Sequence, residues 1–102
     1  MALPVIFRRA VGRDLAEAYW WYEERRRGLG EQFLAAVDAT FDRIEQFPEL
    51  FAVRYGHVRM AVVLRFPYAV FYRVEPRRVV ILTVLHTSDD PSHWPQSQGK
   101  AR

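Results

Sequence analysis

The sequence predicts an α+β domain: an N-terminal strand, an antiparallel helical hairpin and then a three-stranded antiparallel sheet, in the order β-α-α-β-β-β. Residues 65–86, RFPYAVFYRVEPRRVVILTVLH, give the first indication, because two runs rich in Val, Ile, Phe and Tyr flank Glu75-Pro76-Arg77-Arg78. β-Branched and aromatic side chains suit a pleated surface and Pro76 presets a turn, so this stretch reads as a β-hairpin. The second indication is a different period ahead of it: Leu15, Ala18, Tyr19 and Tyr22, then Phe33, Leu34, Val37, Phe41 and Ile44, recur at helical spacing. The third is the short link between those stripes, Gly28-Leu29-Gly30, which makes the two helices antiparallel neighbours with an apolar seam on one side of the sheet.

In chain order, residues 4–9 are a short apolar run entering Arg8-Arg9 and read as a half-buried first strand. The first helix opens near Gly12. Asp14 falls near its positive N-terminal end and Arg25-Arg26-Arg27 near its negative C-terminal end, so the plain reading of the triple Arg is a solvated helix end. Gly28-Leu29-Gly30 breaks the helix, and the second runs from about residue 31 to 47, where Pro48 stops it. Residues 51–55 are a connector or short edge strand, Gly56 a turn, and residues 58–64 a strand joined to the hairpin by a tight Arg65-Phe66-Pro67 bend. Closing the hairpin at Val74 and Val79 sets Tyr72 opposite Ile81, Phe71 opposite Leu82, Val70 opposite Thr83 and Pro67 opposite His86. That register puts Arg73 and His86 together on the less buried face. After Thr87 all periodicity is lost; residues 1–94 are expected to form one domain and 95–102 a flexible tail.

Half of the 102 residues are hydrophobic and 15% are aromatic, enough for one domain with a core. Cysteine is absent, which excludes disulfides, thiolate metal sites and cysteine nucleophiles and suits a reducing cytoplasm. No apolar run is long enough to span a bilayer, and the start of the chain lacks the pattern of a secretory signal, so no membrane partner is expected. The net charge of +3 is unevenly spread: residues 14–49 hold four Arg and nine Asp or Glu, residues 54–86 six Arg and one Glu. A basic sheet beside an acidic helical layer suggests that the sheet meets something anionic, either nucleic acid or an acidic protein segment. Fourteen of the fifteen basic residues are Arg, which grips carboxylate and phosphate bidentately, although a nucleotide bias of the genome would give the same count.

Chemical motifs are few. His57, His86 and His93 are widely spaced, with no HExxH, no glycine-rich phosphate loop and no paired-carboxylate signature, so neither a metal nor a cofactor is expected. His86 is the best functional histidine, since it ends a central strand near Arg65. Metal-free RNA cleavage would need such a group as base or acid beside cations, whereas the simpler role is a strand-end hydrogen bond that fixes the tail. Trp20 and Trp21, about 100° apart on a helix, cannot both join the apolar stripe; Trp20 is the one expected to be exposed, either meeting a partner or capping the helix-sheet edge.

The ordered set Asp14-Leu15, Glu17-Ala18, Trp21-Tyr22-Glu23, Gly28-Leu29-Gly30, Phe33, Pro48, Val58-Arg59, Arg65-Phe66-Pro67-Tyr68, Tyr72-Arg73-Val74, His86, Asp90-Pro91 and Trp94 resembles the RelE/ParE superfamily of type II toxin-antitoxin toxins, over nearly the whole chain. The FPYxxxYR strand and VLHxxxDPxxW after a WYExxxxGLG hairpin carry most of its specificity. The resemblance implies a helical hairpin on an antiparallel sheet and a bacterial growth inhibitor neutralised by a cognate antitoxin.

It leaves the target open, because RelE-like members cut mRNA in the ribosome and ParE-like members are described as inhibitors of DNA gyrase. RelE-type cleavage is associated with an arginine in the strand that here reads Tyr68-Ala69-Val70, a basic residue after the last strand and a C-terminal tyrosine; those places hold Ala69, Ser88 and Trp94. The strand where RelE-like enzymes carry lysines, Met60-Ala61-Val62-Val63-Leu64, is apolar. The family's basic HxRRDP pattern is replaced by His86 followed by Thr87-Ser88-Asp89-Asp90, which puts potency in doubt. Three readings stand: a ParE-like interaction toxin, favoured; a RelE-like endoribonuclease; and an inactive relative that only binds antitoxin. No catalytic residue and no direct sequence-specific nucleic-acid binding are expected on the favoured reading. The candidates for target or partner binding are Arg59, Arg65, Arg73, His86, Trp94 and Trp20.

Overall fold

The computed structural model describes residues 3–88. Its elements are β1 (Val5–Phe7), α1 (Arg9–Arg25), α2 (Leu29–Gln46), β2 (Val53–Tyr55), β3 (Val58–Val62), β4 (Tyr68–Glu75) and β5 (Arg78–His86). The sheet has five strands rather than three, in the order β1-β5-β4-β3-β2. The expected three-stranded meander is its centre; β2 adds one edge, and β1 returns to the other edge as a parallel neighbour of β5, with Val5 opposite Val79 and Phe7 opposite Ile81.

The helices begin earlier than their periodicity indicates. α1 starts at Arg9 rather than Gly12, so no acidic residue lies in its first turn and Asp14 is not a dipole partner. Leu29 and Gly30 are already helical, and the turn is residues 26–28, ending on Gly28, whose φ of 88° is the left-handed region that glycine enters without steric cost. Glu23 stabilises this turn: its carboxylate accepts the N–H groups of Gly28 at 2.9 Å and Gly30 at 3.0 Å, two donors that a helix start leaves without intrahelical partners. A Cβ at Gly30 would lie 2.7 Å from the Tyr19 ring and 2.8 Å from the Tyr19 carbonyl oxygen, so this glycine sets how closely α1 and α2 approach.

The hairpin lies on one face of the sheet. Phe33, Val37 and Ile44 of α2 and Tyr22 of α1 are buried with Val70, Tyr72, Val79, Ile81 and Val84 of the central strands. At one end of this core Tyr22, Phe33, Phe66 and Tyr68 form an aromatic cluster, with ring centroids 5.0–5.4 Å apart for Phe33–Tyr68, Tyr22–Phe66 and Phe33–Phe66. At the other end the Tyr72 hydroxyl donates to the Pro48 carbonyl at 2.6 Å. The opposite face carries a smaller cluster in which Ala69 and Phe71 are buried among Tyr55, Val58, Met60 and Leu85.

The β4–β5 turn closes as its sequence indicates, with Val74 opposite Val79 and Tyr72 opposite Ile81, but the register then shifts by one residue. Phe71 faces Thr83, Val70 faces Val84 and Tyr68 faces His86, leaving Leu82 as the extra residue of a bulge. Every side chain beyond the bulge changes face relative to the simple alternation. His86 therefore lies on the helix side with Tyr68, and Arg73 stays on the other face, next to Val58 and Val80.

Candidate functional site

Beyond Ile81 the edge of β5 has no strand beside it, because β1 ends at Phe7 and its last link is the Arg8 N–H donating to the Ile81 carbonyl at 2.9 Å. α1 takes over that edge. The Asp14 carboxylate accepts the Val84 N–H at 2.9 Å and the Thr83 hydroxyl, which closes the ladder at the bulge. Between α1 and the ends of β4 and β5 this leaves an open cleft of about 540 Å³. Its helix wall is Asp14, Glu17, Ala18, Trp21 and Tyr22, one face of α1 at i, i+3, i+4, i+7 and i+8; its sheet wall includes Tyr68 and His86, and Pro67 and Ser88 lie at the rim.

His86 is fixed within the cleft. Its ring meets Tyr68 edge to face at 5.1 Å, and Nδ1 accepts the Ser88 N–H at 3.1 Å with the Ser88 hydroxyl 2.7 Å away. An Nδ1 that accepts an N–H assigns the neutral ring's proton to Nε2. Trp21 is half exposed at the rim, with the Arg25 guanidinium 3.4 Å from its ring centroid and Arg25 Nη1 donating to the Trp21 carbonyl at 3.1 Å.

The residues singled out from the sequence are not gathered in one place. Arg59 donates through Nη1 to the carbonyls of Phe51 at 2.7 Å and Glu49 at 3.2 Å, which ties down the connector before β2. Arg73 donates through Nε to Glu75 at 2.7 Å, and Arg78 reaches the other Glu75 oxygen at 2.6 Å; first the Arg78 and then the Arg73 hydrogen bond holds that carboxyl below the usual carboxylate range. Arg65 is exposed in the β3–β4 turn with φ 73°. Trp20 is 60% exposed and packs edge to face on Tyr19 at 4.9 Å, away from the cleft lining. Both tryptophans are exposed, not Trp20 alone, since neither reaches the buried stripe of α1. Trp94 lies outside the described residues. Of the five that are described, His86 alone lines the cleft.

Glu17, Trp21, Tyr68 and Ser88 are the cleft residues that the sequence reading left without a place in it. Their signal was the second helical face beside the Leu15–Tyr22 stripe and the Tyr that follows Phe66-Pro67. Among the described residues no group of three or more His, Asp or Glu could hold a metal ion, and no described helix is long and apolar enough to cross a membrane.

An N-terminal strand, a helical hairpin and then a sheet of strands is the α+β architecture of small toxins of the RelE/ParE superfamily. The family described as the ParE toxin of type II toxin-antitoxin systems, parDE, matches residues 5–91. The chain belongs to that family. It is 32% identical over 83 residues to Toxin ParE2 of Mycobacterium tuberculosis, in strains CDC 1551 / Oshkosh and H37Rv, covering 80% of this chain and 79% of the relative. A solved chain of the toxin-antitoxin complex RelBE2 from M. tuberculosis aligns with TM-score 0.61 at 26% identity, over 84% of this chain and 99% of that one. A chain of the chromosomal ParDE system from P. aeruginosa shares the fold, with TM-score 0.74 at 17% identity over 82% of this chain and 95% of that one.

Proposed function

We propose that this type II toxin inhibits growth by binding DNA gyrase rather than by cutting RNA, and that a cognate antitoxin neutralises it through an acidic, amphipathic segment laid along the sheet and the helix edge. The observation that carries the first part is the separation of His86 and Arg73 onto opposite faces of the sheet. Metal-free RNA cleavage needs a proton-transfer group and cations converging on one phosphate. In this fold the strand-end His faces α1 beside the acidic groups Asp14 and Glu17, while the Arg73 guanidinium is held by Glu75. Ala69, at the place of the RelE-type arginine, is 1% exposed and packs against Phe71 and Leu85.

The antitoxin reading rests on charge and apolar surface together. Apart from Arg65 in the β3–β4 turn, residues 54–86 carry five Arg and one Glu, and Ile6 and Val53 of the edge strands and Val62 at the end of β3 are exposed. A disordered acidic segment with apolar anchors can cover such a surface and order as it binds. Calorimetry of the purified pair should give a saturable heat at micromolar concentration, and co-expression should restore growth. Absence of both would remove the antitoxin reading, and absence of any growth effect of the free chain would favour an inactive relative.

A further inference from the structure

The β3–β4 turn is built in a way that its fold does not require. Three described residues adopt positive φ: Gly28 at 88°, Gly56 at 53° and Arg65 at 73°. Glycine enters this region freely, whereas a residue with a long side chain there is strained and persists where the surroundings or a function demand it. The surroundings do not select Arg, because its side chain is exposed and is in no ion pair or side-chain hydrogen bond among the described residues. The turn is nevertheless rigidly mounted. Val63 donates to the Tyr68 carbonyl at 2.9 Å, Tyr68 to the Phe66 carbonyl at 2.7 Å, and Phe66 is wedged between Tyr22 and Phe33. What this mounting presents outward is Leu64, 62% exposed, and Arg65.

The same Phe66–Tyr22 contact brings the turn to the last turn of α1. The Arg26 N–H closes on the Tyr22 carbonyl at 3.1 Å, so Arg26 and Arg27, both exposed, follow directly on the turn of α1 against which Phe66, the neighbour of Arg65, packs. Among the described residues no acid forms an ion pair with them: Glu23 is turned to the Gly28 and Gly30 amides, the exposed Glu24 is in no ion pair, and the described ion pairs lie at the opposite hairpin, around Glu75. A guanidinium in no ion pair beside an exposed Leu, with two further exposed Arg at the adjoining helix end, suits a protein surface that offers carboxylates around an apolar spot. A nucleic-acid backbone would have no use for the Leu.

We propose that the Leu64–Arg65 turn, together with Arg26 and Arg27, is the surface by which this toxin grips an acidic, partly apolar patch of its protein target, separately from antitoxin. This rests on the reading of the chain as an interaction toxin and names the face it uses. Arg65→Gly and Arg65→Asn both suit a positive φ, so they keep the fold while removing the guanidinium, and Arg26→Glu/Arg27→Glu reverses the neighbouring charge. Growth arrest on induction, inhibition of purified gyrase holoenzyme, affinity for the antitoxin and thermal melting are measured for each. The expected result is that Arg65→Gly melts higher than the parent yet loses potency about tenfold or more, the loss typical of removing a charged anchor, with the double variant at least as weak and antitoxin affinity nearly unchanged.

Full potency in both Arg65 variants overturns the proposal, as does a parallel loss of antitoxin affinity. Binding of the parent to duplex DNA without gyrase, abolished in Arg26→Glu/Arg27→Glu, overturns it in favour of a nucleic-acid face. A parent that arrests growth but spares gyrase removes gyrase as target while the growth assay still scores the surface, and a parent that arrests nothing overturns both.

Discussion

Asp14 and Val84, seventy positions apart, are joined by a 2.9 Å hydrogen bond from a strand-edge N–H to a helix carboxylate. Where β1 stops, this carboxylate takes the place of a neighbouring strand, and by also holding Thr83 it fixes the bulge that turns His86 to the helix side. The bond is partly buried and its acceptor is a carboxylate, and hydrogen bonds to charged groups contribute about 1.5–3 kcal/mol. Asp14→Ala should therefore cost about 2–3 kcal/mol in urea unfolding, and Asp14→Asn, which keeps an acceptor oxygen, clearly less. A loss of under about 0.5 kcal/mol for Asp14→Ala, the level of an ordinary surface change, would mean that the edge closes without it.

Gly30 offers a test of the helical hairpin. Alanine normally favours a helix over glycine by about 1 kcal/mol. At this site its Cβ would meet the Tyr19 carbonyl oxygen at 2.8 Å, a backbone atom that cannot swing away. Gly30→Ala should be destabilising by about 1–3 kcal/mol, the range for overpacked contacts. A neutral or stabilised protein in thermal melting would show that α1 and α2 have slack at their crossing.

Tyr72 couples the far end of the core to pH. Burial pushes its hydroxyl up to about 12 against a smaller opposing effect of Arg59, while the group has its ordinary value near 10 in the unfolded chain. Because the folded value is the higher one, its contribution is complete below pH 10 and is lost as pH rises from 10 towards 12. Tyr72→Phe should be less stable at neutral pH by about 1–2 kcal/mol, from the lost bond to the Pro48 carbonyl. Its stability should then fall less steeply through that alkaline window, as followed by circular dichroism. Equal alkaline slopes for the two proteins would contradict this account of Tyr72.

His86 joins strand to tail through Ser88 and packs on Tyr68. His86→Gln should keep growth inhibition within a few-fold and lower stability by roughly 1 kcal/mol, one hydrogen bond's worth. A folded but wholly inactive His86→Gln protein would point to catalysis.

The hairpin, both helices and the order of elements were legible because each rests on a local period or turn residue: Pro76 and Pro48 lie where the reading put the punctuation. What was not legible depends on contacts distant in sequence. The three residues of β1 carry no sign of a parallel partner, and nothing around Leu82 marks a bulge, since both faces of β5 are apolar and either register satisfies the alternation. From that one missed residue followed the misplacement of His86 beside Arg73. Asp14 read as a helix-dipole residue because its acceptors' donors, Thr83 and Val84, lie in the last strand. Arg59 read as a candidate for target or partner binding, while its guanidinium serves the carbonyls before β2.

On the proposed function, this toxin acts by binding gyrase and performs no RNA chemistry. The most direct test supplies the purified chain in parallel to gyrase supercoiling relaxed plasmid and to programmed ribosomes carrying a defined mRNA. The predicted result is dose-dependent loss of supercoiling, reversed by antitoxin, with the ribosome-bound mRNA intact. Codon-specific cuts in that mRNA with supercoiling unaffected would contradict it.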